Sequence, residues 1–586
     1  MDRPRMIRRS LGDPALDVYL ARFDPLTQTT TPVDHPRVPD GCSLLELPYA
    51  NPYRYRLIET FLTRATRPYG MPNLIAGMET YLGHGHNFAG LLKFYSNLNQ
   101  KMKETLTLKV IPLMAQLALE LTDQNFRAIP LLLNGTNMSV SLSQRQAAVL
   151  IANGFFCTFP AVDRVSKEDF NNFNMIRIFS DKCEKSGEKL SCIFAYFRTL
   201  SESIPDGMLT ILRQSCPPVD FAQLEVPLSE VFVEEEARIE DAVGHSHVDF
   251  ANRFIGGGVL GNGCVQEEIR FLVSPECLVA CLLCERMADD EAILLVGPQR
   301  FSNYAGYAND FRWRPLRSHP FELQRTPLGH LPVEIVAIDA LCFGDPQKRG
   351  EQFAATKIER ELRKAFAGFA IQTPHSPLPI ATGNWGGGAF HGDRDLKFLI
   401  QWLAASAAGR LLHYHTFGAR ALSTRLLQLL HKVEKKEVGF AWLYRVLTEG
   451  GEHPPAAFVN APLFHVFSAP MDAPLERVDV VPPMDSLELE SPPKKTPKIH
   501  EEEADRVEVK REESPAPNGS AASEQTDVVR IPQHVTPQSA RRKLLKADVL
   551  QPAAESPKST ANQPKLTDFF AKKPLVEPKD EQMEFG

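Results

Sequence analysis

From about residue 207 onward, strand-like apolar runs alternate with helix-like runs, and few architectures accept that order. GMLTILRQS, VFVEEEARI, AILLVG (Ala292 to Gly297) and VEIVAIDAL (Val333 to Leu341) read as strands. Helical stretches such as KIERELRKAFAGFAI and DLKFLIQWLAASAAGRLL belong to the same region. The pattern predicts an α/β layer architecture, with a sheet covered by helices. The stretch before it reads mostly as helix. LLKFYSNLNQKMKETLTLKVIPLMAQLALELT repeats apolar residues at spacings of three and four. Ser143 is placed to cap a helix over QRQAAVLIAN, with Asn153-Gly154 as its stop signal. No internal repeat of fixed period is visible.

The chain changes character near Phe467. The stretch from Ser468 to Gly586 holds 16 of the 46 prolines and no Trp, Tyr or Cys, and its only aromatics are Phe569, Phe570 and Phe585. Such a segment cannot bury enough apolar surface to offset the entropy of ordering, so it is expected to be disordered. Folded structure is expected to end around residue 467.

Composition removes several classes. With 65 Lys and Arg against 72 Asp and Glu, the chain cannot grip nucleic acid by bulk positive charge. Ten cysteines without framework spacing argue against a disulfide-stapled secreted protein. No uninterrupted apolar run is long enough for a membrane span. The start, MDRPRMIRRSLGDPALD, is basic but lacks the apolar stretch of a secretory signal. Asp2, Asp13 and Asp17 count against a mitochondrial presequence. The expectation is a soluble intracellular protein.

The densest chemical cluster is HVDFANRFIGGGVLGNGCVQEEIRFL, His247 to Leu272. Gly256, Gly257 and Gly258 let backbone N–H groups approach a ligand closely, and a helix after such a loop favours phosphate. The run Gln266-Glu267-Glu268 is unusual there, because two acids repel a phosphate. They make sense if the bond to be broken lies beside the phosphate, as a glycosidic bond on a nucleotide ribose does. That cleavage needs a general acid and a carboxylate that stabilises an oxocarbenium-like state. Gly256-x-Gly258-x-x-Gly261 also matches the dinucleotide fingerprint GxGxxG. VDFANRF, with Asp249, Asn252 and Arg253, looks too polar for the buried parallel strand that fingerprint requires. The bland alternative is a surface turn before an amphipathic helix with solvated acids.

A second glycine loop, TGNWGGGAFHGD, follows SPLPIA and precedes a helix. Two such loops could cradle a diphosphate. FSNYAGYANDFRW supplies Tyr304 and Tyr307, either of which could stack on a base or simply pack.

Taken together, VDFANRFIGGG, its spacing to QEEIRFL, YAGYANDFRW and TGNWGGGAFHGD resemble the animal-type poly(ADP-ribose) glycohydrolases over roughly residues 60 to 467. The resemblance implies a macrodomain-like mixed sheet flanked by helices, with an N-terminal helical accessory domain. The expected layout is an N-terminal segment (1–45), a helical accessory domain (46–200), a catalytic domain (201–467) and a disordered tail (468–586). It implies hydrolysis of ribose–ribose bonds in poly(ADP-ribose) to release ADP-ribose. Glu268 would be the acid/base, Glu267 would orient ribose hydroxyls, and Asp249 would complete the acidic cluster. Asn252 would bind the scissile-side ribose. Gly256, Gly257 and Gly258 would form one ligand-binding loop, and Asn384, Trp385, Gly386, Gly387, Gly388 and Ala389 the second diphosphate loop, with Phe390 near the reacting ribose. Gln266, Ile239 and Glu240 would contact the adenine end, Tyr307 would stack there, and Phe417 would pack nearby. The spacing from Ile239-Glu240 to Asp249 departs from the family by about a residue. The resemblance implies no metal and no cofactor, and poly-ADP-ribosylated proteins as partners of a monomer. The alternative of another class is an ADP-ribose reader of the same fold without turnover.

One tension remains within the site. A glutamate at a helix N-terminus should have a lowered pKa, whereas a general acid wants a raised one. Elsewhere, Cys277, Cys281 and Cys284 share a helical face and read as core rather than metal ligands. His84 and His86, His245 and His247, and His413 and His415 read as loop or strand histidines. In the tail, QPKLTDFF places Gln563, Leu566, Phe569 and Phe570 in the pattern that docks on the replication sliding clamp. PPKKTPK and RRKLLK fit nuclear import, and VKRE resembles a sumoylation acceptor. The expected compartment is the nucleus, with the cytoplasm as a second location.

Overall fold

Period-two burial in two central strands shows how the molecule is layered. In Glu334–Asp339, Ile335 and Ala337 join one apolar cluster while Val336 and Ile338 join another. In Glu291–Val296, Ile293 and Leu295 face the first cluster, and Ala292, Leu294 and Val296 the second. Side chains alternate across a strand, so this sheet is buried on both faces. The structure is a computed structural model and describes residues 17–123, 126–160, 169–316, 324–371, 373, 377–436 and 438–448. The tail from Ser468, its motifs and the expected boundary at 467 lie outside the described residues.

The strands are β1 (Asp17–Tyr19), β2 (Ala21–Asp24), β3 (Thr29–Pro32), β4 (Ser139–Ser143), β5 (Met208–Ser215), β6 (Val231–Glu234), β7 (Ser246–Ala251), β8 (Glu291–Val296), β9 (Ser302–Ala305), β10 (Arg312–Pro315), β11 (Glu334–Asp339), β12 (Ile380–Gly383) and β13 (Leu412–His415). Among the described residues, nine of them form one mixed sheet in the order β1-β4-β5-β8-β11-β7-β12-β13-β6. From β11 to β6 every pairing is parallel, whereas β4, β5, β8 and β11 pair antiparallel in succession. The N-terminal region is therefore less purely helical than its sequence suggests. SVSLS forms β4, and β1 pairs parallel to it. Its serines hid the strand from a search for apolar runs, but Ser141 and Thr210 bond each other at 2.6 Å, and Ser139 donates to Asp17 at 2.6 Å.

Helices α1 (Pro52–Ala65), α2 (Met71–Leu82), α3 (Ala89–Asn97), α4 (Gln100–Thr105), α5 (Ile111–Leu119), α6 (Gln144–Phe155) and α7 (Ser186–Glu202) belong to the layer on one face, with α8 (Gln266–Val273) and α9 (Leu278–Leu283). Helices α10 (Ala355–Phe369), α11 (Arg394–Ala408), α12 (Arg420–Lys436) and α13 (Phe440–Thr448) belong to the other. The run Gln100–Thr122 is long and apolar enough by composition to cross a membrane, but Val110, Ile111, Met114 and Leu117 are wholly buried in the protein core. A π turn at Leu106–Val110 separates α4 from α5, just before Pro112, whose ring would clash with a carbonyl four residues back in a regular helix.

Ser143 caps α6 as expected, in a full capping box with Gln146. The stop signal sits elsewhere. Gly154 lies inside the helix, where a Cβ would meet the Phe173 ring at 2.7 Å, and Cys157 takes the left-handed conformation at φ +55°.

Two buried polar networks tie the layers together. Arg213 of β5 pairs with Glu291 of β8, both essentially without exposure, and Arg213 also donates to the carbonyls of Leu132, Glu285 and Arg286. Glu276, between α8 and α9, accepts from Gln144 at 2.8 Å and from the Gln299 N–H at 2.7 Å. Burial pushes Glu276 up to about 7 from an ordinary 4.5. A carboxyl whose folded pKa is raised stabilises fully below its unfolded value and loses that contribution as pH rises through its folded one. Stability should therefore fall between pH 4.5 and about 7 through this group. The fall should be on the order of 3 kcal/mol. Thermal melts of Glu276→Gln should show this slope flattened.

Candidate active site

The crevice begins where two parallel strands part. β12 pairs with β7 only at Ile380 with Ser246 and Ala381 with His247. Beyond that point Gln266 bonds the β7 backbone, accepting from the Phe250 N–H at 2.8 Å and donating to the Val248 carbonyl at 3.1 Å. Ligands in open parallel sheets bind at such partings, beyond the carboxyl ends of the strands. VDFANRF is thus a central parallel strand and its exit, which corrects the expectation that it is too polar for one. The polarity sits at the strand end, where Asp249 is buried without exposure and Asn252 begins the loop. The dinucleotide reading fails on other ground, since α8 leads into α9 and not into a second strand carrying a ribose-binding acid.

The loop after β7 is shaped around two carboxylates. Glu267 accepts from the N–H groups of Asn252 at 2.9 Å and Gly256 at 2.6 Å. Glu268 accepts from Gly258 at 2.9 Å and Val265 at 2.8 Å. A Cβ on Gly257 would lie 2.6 Å from Oε2 of Glu267 and 2.6 Å from Oε1 of Glu268, and its φ is +49°. Both carboxylates therefore converge on one point that only glycine leaves open. Gly258 and Gly263 pack on each other, and a Cβ on Gly263 would strike Glu268 at 2.5 Å. Gly256 has φ +86° and sits against Cys281 Sγ. Cys277, Cys281 and Cys284 are buried core residues whose thiols are raised by burial.

Behind this pair lies Asp249, and neither of its carboxyl oxygens has a hydrogen-bond partner among the described residues. Burial, then repulsion from Glu268, holds Asp249 well above the usual carboxylate range. Burial, then Asp249 and Glu268, raises Glu267, against the lowering effect of its two amide donors. For Glu267, desolvation and like charge outweigh the helix N-terminus.

Two holders of the loop had escaped the sequence reading. Lys189 of α7 is wholly buried and donates to the carbonyls of Val259 at 2.8 Å, Gly258 at 3.4 Å and Gly263. Burial lowers its pKa. Asn171 donates to the carbonyls of Ile255 at 3.1 Å and Gly257 at 3.0 Å. The signal for Lys189 was a lysine on the apolar stripe of α7, beside Cys192 and Ile193. Asn171 offered none.

The remaining expected residues gather around the same crevice. The hairpin β9–β10 carries Tyr304, whose hydroxyl donates to Glu240 at 2.6 Å, with Arg238 over its ring at 4.2 Å. Ile239 is buried beside them. Tyr307, at the hairpin tip and 54% exposed, accepts from the Gln266 N–H at 3.2 Å. The side chain of Gln266 is engaged with β7, so it positions the strand end. In the second loop, Gly388 and Ala389 are exposed and Phe390 is half-buried. Asn384 accepts from Tyr414 at 3.2 Å, and Gly387 donates to the Asn384 carbonyl at 2.9 Å. Gly386 has φ +70°, and a Cβ there would meet Ala340 at 2.7 Å. The Trp385 ring is wholly buried, donates to the Ile338 carbonyl at 2.9 Å and lies 4.3 Å from the Lys397 ammonium. It props the loop from beneath. Phe417 is half-exposed and packs over Gly383, where a Cβ would meet its ring at 2.7 Å. The histidines of two separate motifs also meet, His245 and His413 at 3.2 Å. Gln563, Leu566, Phe569 and Phe570 lie outside the described residues.

Comparisons with known proteins give the family. Residues 219–424 match the family described as "Poly (ADP-ribose) glycohydrolase (PARG), Macro domain fold". Residues 98–213 match that family's "helical domain". A poly(ADP-ribose) glycohydrolase 2 of Caenorhabditis elegans is 33% identical over 347 residues, covering 57% of this chain and 69% of that protein. The chain belongs to the poly(ADP-ribose) glycohydrolase family. Poly(ADP-ribose) glycohydrolase 1 of the same nematode is 37% identical over 53% of this chain. Its Arabidopsis thaliana counterpart is 33% identical over 48%. The chain spans 40% and 64% of the lengths of those two relatives.

Two variants probe the loop. Gly257→Ala should leave the fold intact by circular dichroism while displacing both carboxylates. Lys189→Met should cost about 1–3 kcal/mol of stability, because three carbonyls lose their donor. Denaturant titration checks the second.

Proposed function

We propose that this protein is an enzyme that hydrolyses the ribose–ribose O-glycosidic bonds of poly(ADP-ribose) and releases ADP-ribose. The observation that carries the reading is the convergence of Glu267 and Glu268 on Gly257 at the mouth of the crevice, with Asp249 buried behind them. Glu268 is the acid of the pair that donates to the leaving ribose oxygen and then takes a proton from water. Glu267, with the raised affinity for its proton, orients the ribose hydroxyls. Asp249 supplies the repulsion that helps keep that proton in place. An oxocarbenium-like sugar then meets carboxylate charge at closest range. The second glycine loop holds the diphosphate, and Tyr307 with Glu240 frames the adenine end. No step calls on a metal or a cofactor. A reader of the same fold would need no second carboxylate at the glycine loop.

The deciding experiment follows free ADP-ribose released from purified poly(ADP-ribose). Glu268→Gln should lower kcat by about 10²–10⁴-fold with the polymer still bound, the loss expected for a missing general acid. Turnover by neither protein, with polymer bound by both, would make the protein a reader.

We propose the nucleus as its compartment, on the basic clusters PPKKTPK and RRKLLK, and reversal of poly-ADP-ribosylation during the DNA damage response as its role. We also propose docking on the replication sliding clamp through Gln563, Leu566, Phe569 and Phe570, a turn that would seat one aliphatic and two aromatic side chains in a pocket. Joint replacement of Phe569 and Phe570 by Ala should abolish clamp binding in calorimetry and leave hydrolysis unchanged.

A further inference from the structure

A cleft of about 840 Å³ opens beside the glycine loop. Asn252, Phe254 and Gly257 form one wall, and the helical layer forms the other. Its volume is that of a site for a nucleotide-sized ligand. Among the described residues, the lining holds Arg54, Arg177 and His86 and no carboxylate. Arg54 is committed to the wall, since its guanidinium donates to the carbonyls of Cys157, Thr158 and Phe159. Arg177 differs. It is exposed, and among the described residues its guanidinium has no hydrogen bond or ion pair. The rings of Phe170 and Phe254 are both half-buried in the same lining.

We infer that this cleft binds a nucleoside diphosphate, the unit of the polymer that adjoins the scissile bond on its leaving side. The inference rests on the glycohydrolase reading above. The bond must be cut beside Gly257, where the two carboxylates converge, and the leaving ribose must depart past that residue. Gly257 and Asn252 are also the edge of the cleft. An exposed guanidinium is the natural partner of a diphosphate, half-exposed rings offer a face to the base, and the described lining brings no carboxylate against it. The crevice then holds the unit being released, and the cleft holds the next one.

The test uses the full chain carrying Glu268→Gln, so that the polymer stays intact. Dissociation constants are measured for free ADP-ribose and for poly(ADP-ribose) of defined length, with and without Arg177→Glu. Lys432→Glu, on the exposed face of α12, makes the same change in net charge away from the cleft. Arg177→Glu should weaken polymer binding about ten-fold, the scale of one lost charge-assisted contact. ADP-ribose binding should stay within about two-fold, and Lys432→Glu should move neither by as much. Equal polymer affinity with and without Arg177→Glu, or an equal loss with Lys432→Glu, would overturn the subsite and leave the glycohydrolase reading standing. Failure of ADP-ribose to bind any of the proteins would overturn both.

Discussion

The site depends on a loop that binds the carboxylates of the helix that follows it. Glu267 and Glu268 each accept two backbone N–H groups, and three of the four donors belong to the turn between Asn252 and Gly258. A glycine turn alone would be a flexible segment with high conformational entropy. Here the acids at the start of α8 satisfy its donors, and Lys189 and Asn171 satisfy its acceptors. The side chains assigned to the chemistry and those that hold the loop are therefore partly the same. Removing a carboxylate has two effects, the loss of a reacting group and the release of two amides. The isosteric Glu→Gln exchange keeps one acceptor oxygen and holds one of the two amides, so the loop is disturbed less than by truncation.

This arrangement bears on proton affinity. Backbone amides pull a carboxylate toward its charged form, and a general acid needs the opposite. At Glu267, the neighbour of the proposed acid, burial and stacked acids outweigh the pull of its two amides. Asp249 sits on a central strand with neither oxygen partnered, and the nearest opposing charge, Arg270, is itself buried. Burial and like charge therefore hold Asp249 and Glu267 above the usual carboxylate range.

Much of this was legible in the sequence because it is local. The strand–glycine loop–helix order, the adjacency of Glu267 and Glu268 and the α/β alternation all lie within short windows. What stayed hidden depends on distance or context. Ser139–Ser143 offers no apolar run and shows as a strand only once β5 and β1 pair with it and its hydroxyls find partners. VDFANRF looks too polar for a central strand because strand-wide averages ignore that a site is built where a strand ends. Lys189 stands 70 residues before the carbonyl of Val259 that it serves. Trp385 and Gln266, implied to meet the ligand, turn out to spend their side chains on the loop and strand beneath.

The same long-range contacts explain why the helical layer cannot be a mere accessory. Asn171 and Lys189 fall within the stretch matching the family's helical domain, and the loop they hold falls within the macrodomain match. Without α7, the carbonyls of Gly258, Val259 and Gly263 would lose the Lys189 donor, at a cost of about 1–3 kcal/mol in all. The turn would then relax toward solvent and carry both carboxylates away from their common point. The layer that fixes the reacting groups on one side also supplies the outer wall of the cleft on the other. One packing surface thus sets both the position of the two carboxylates and the wall of the cleft beside them.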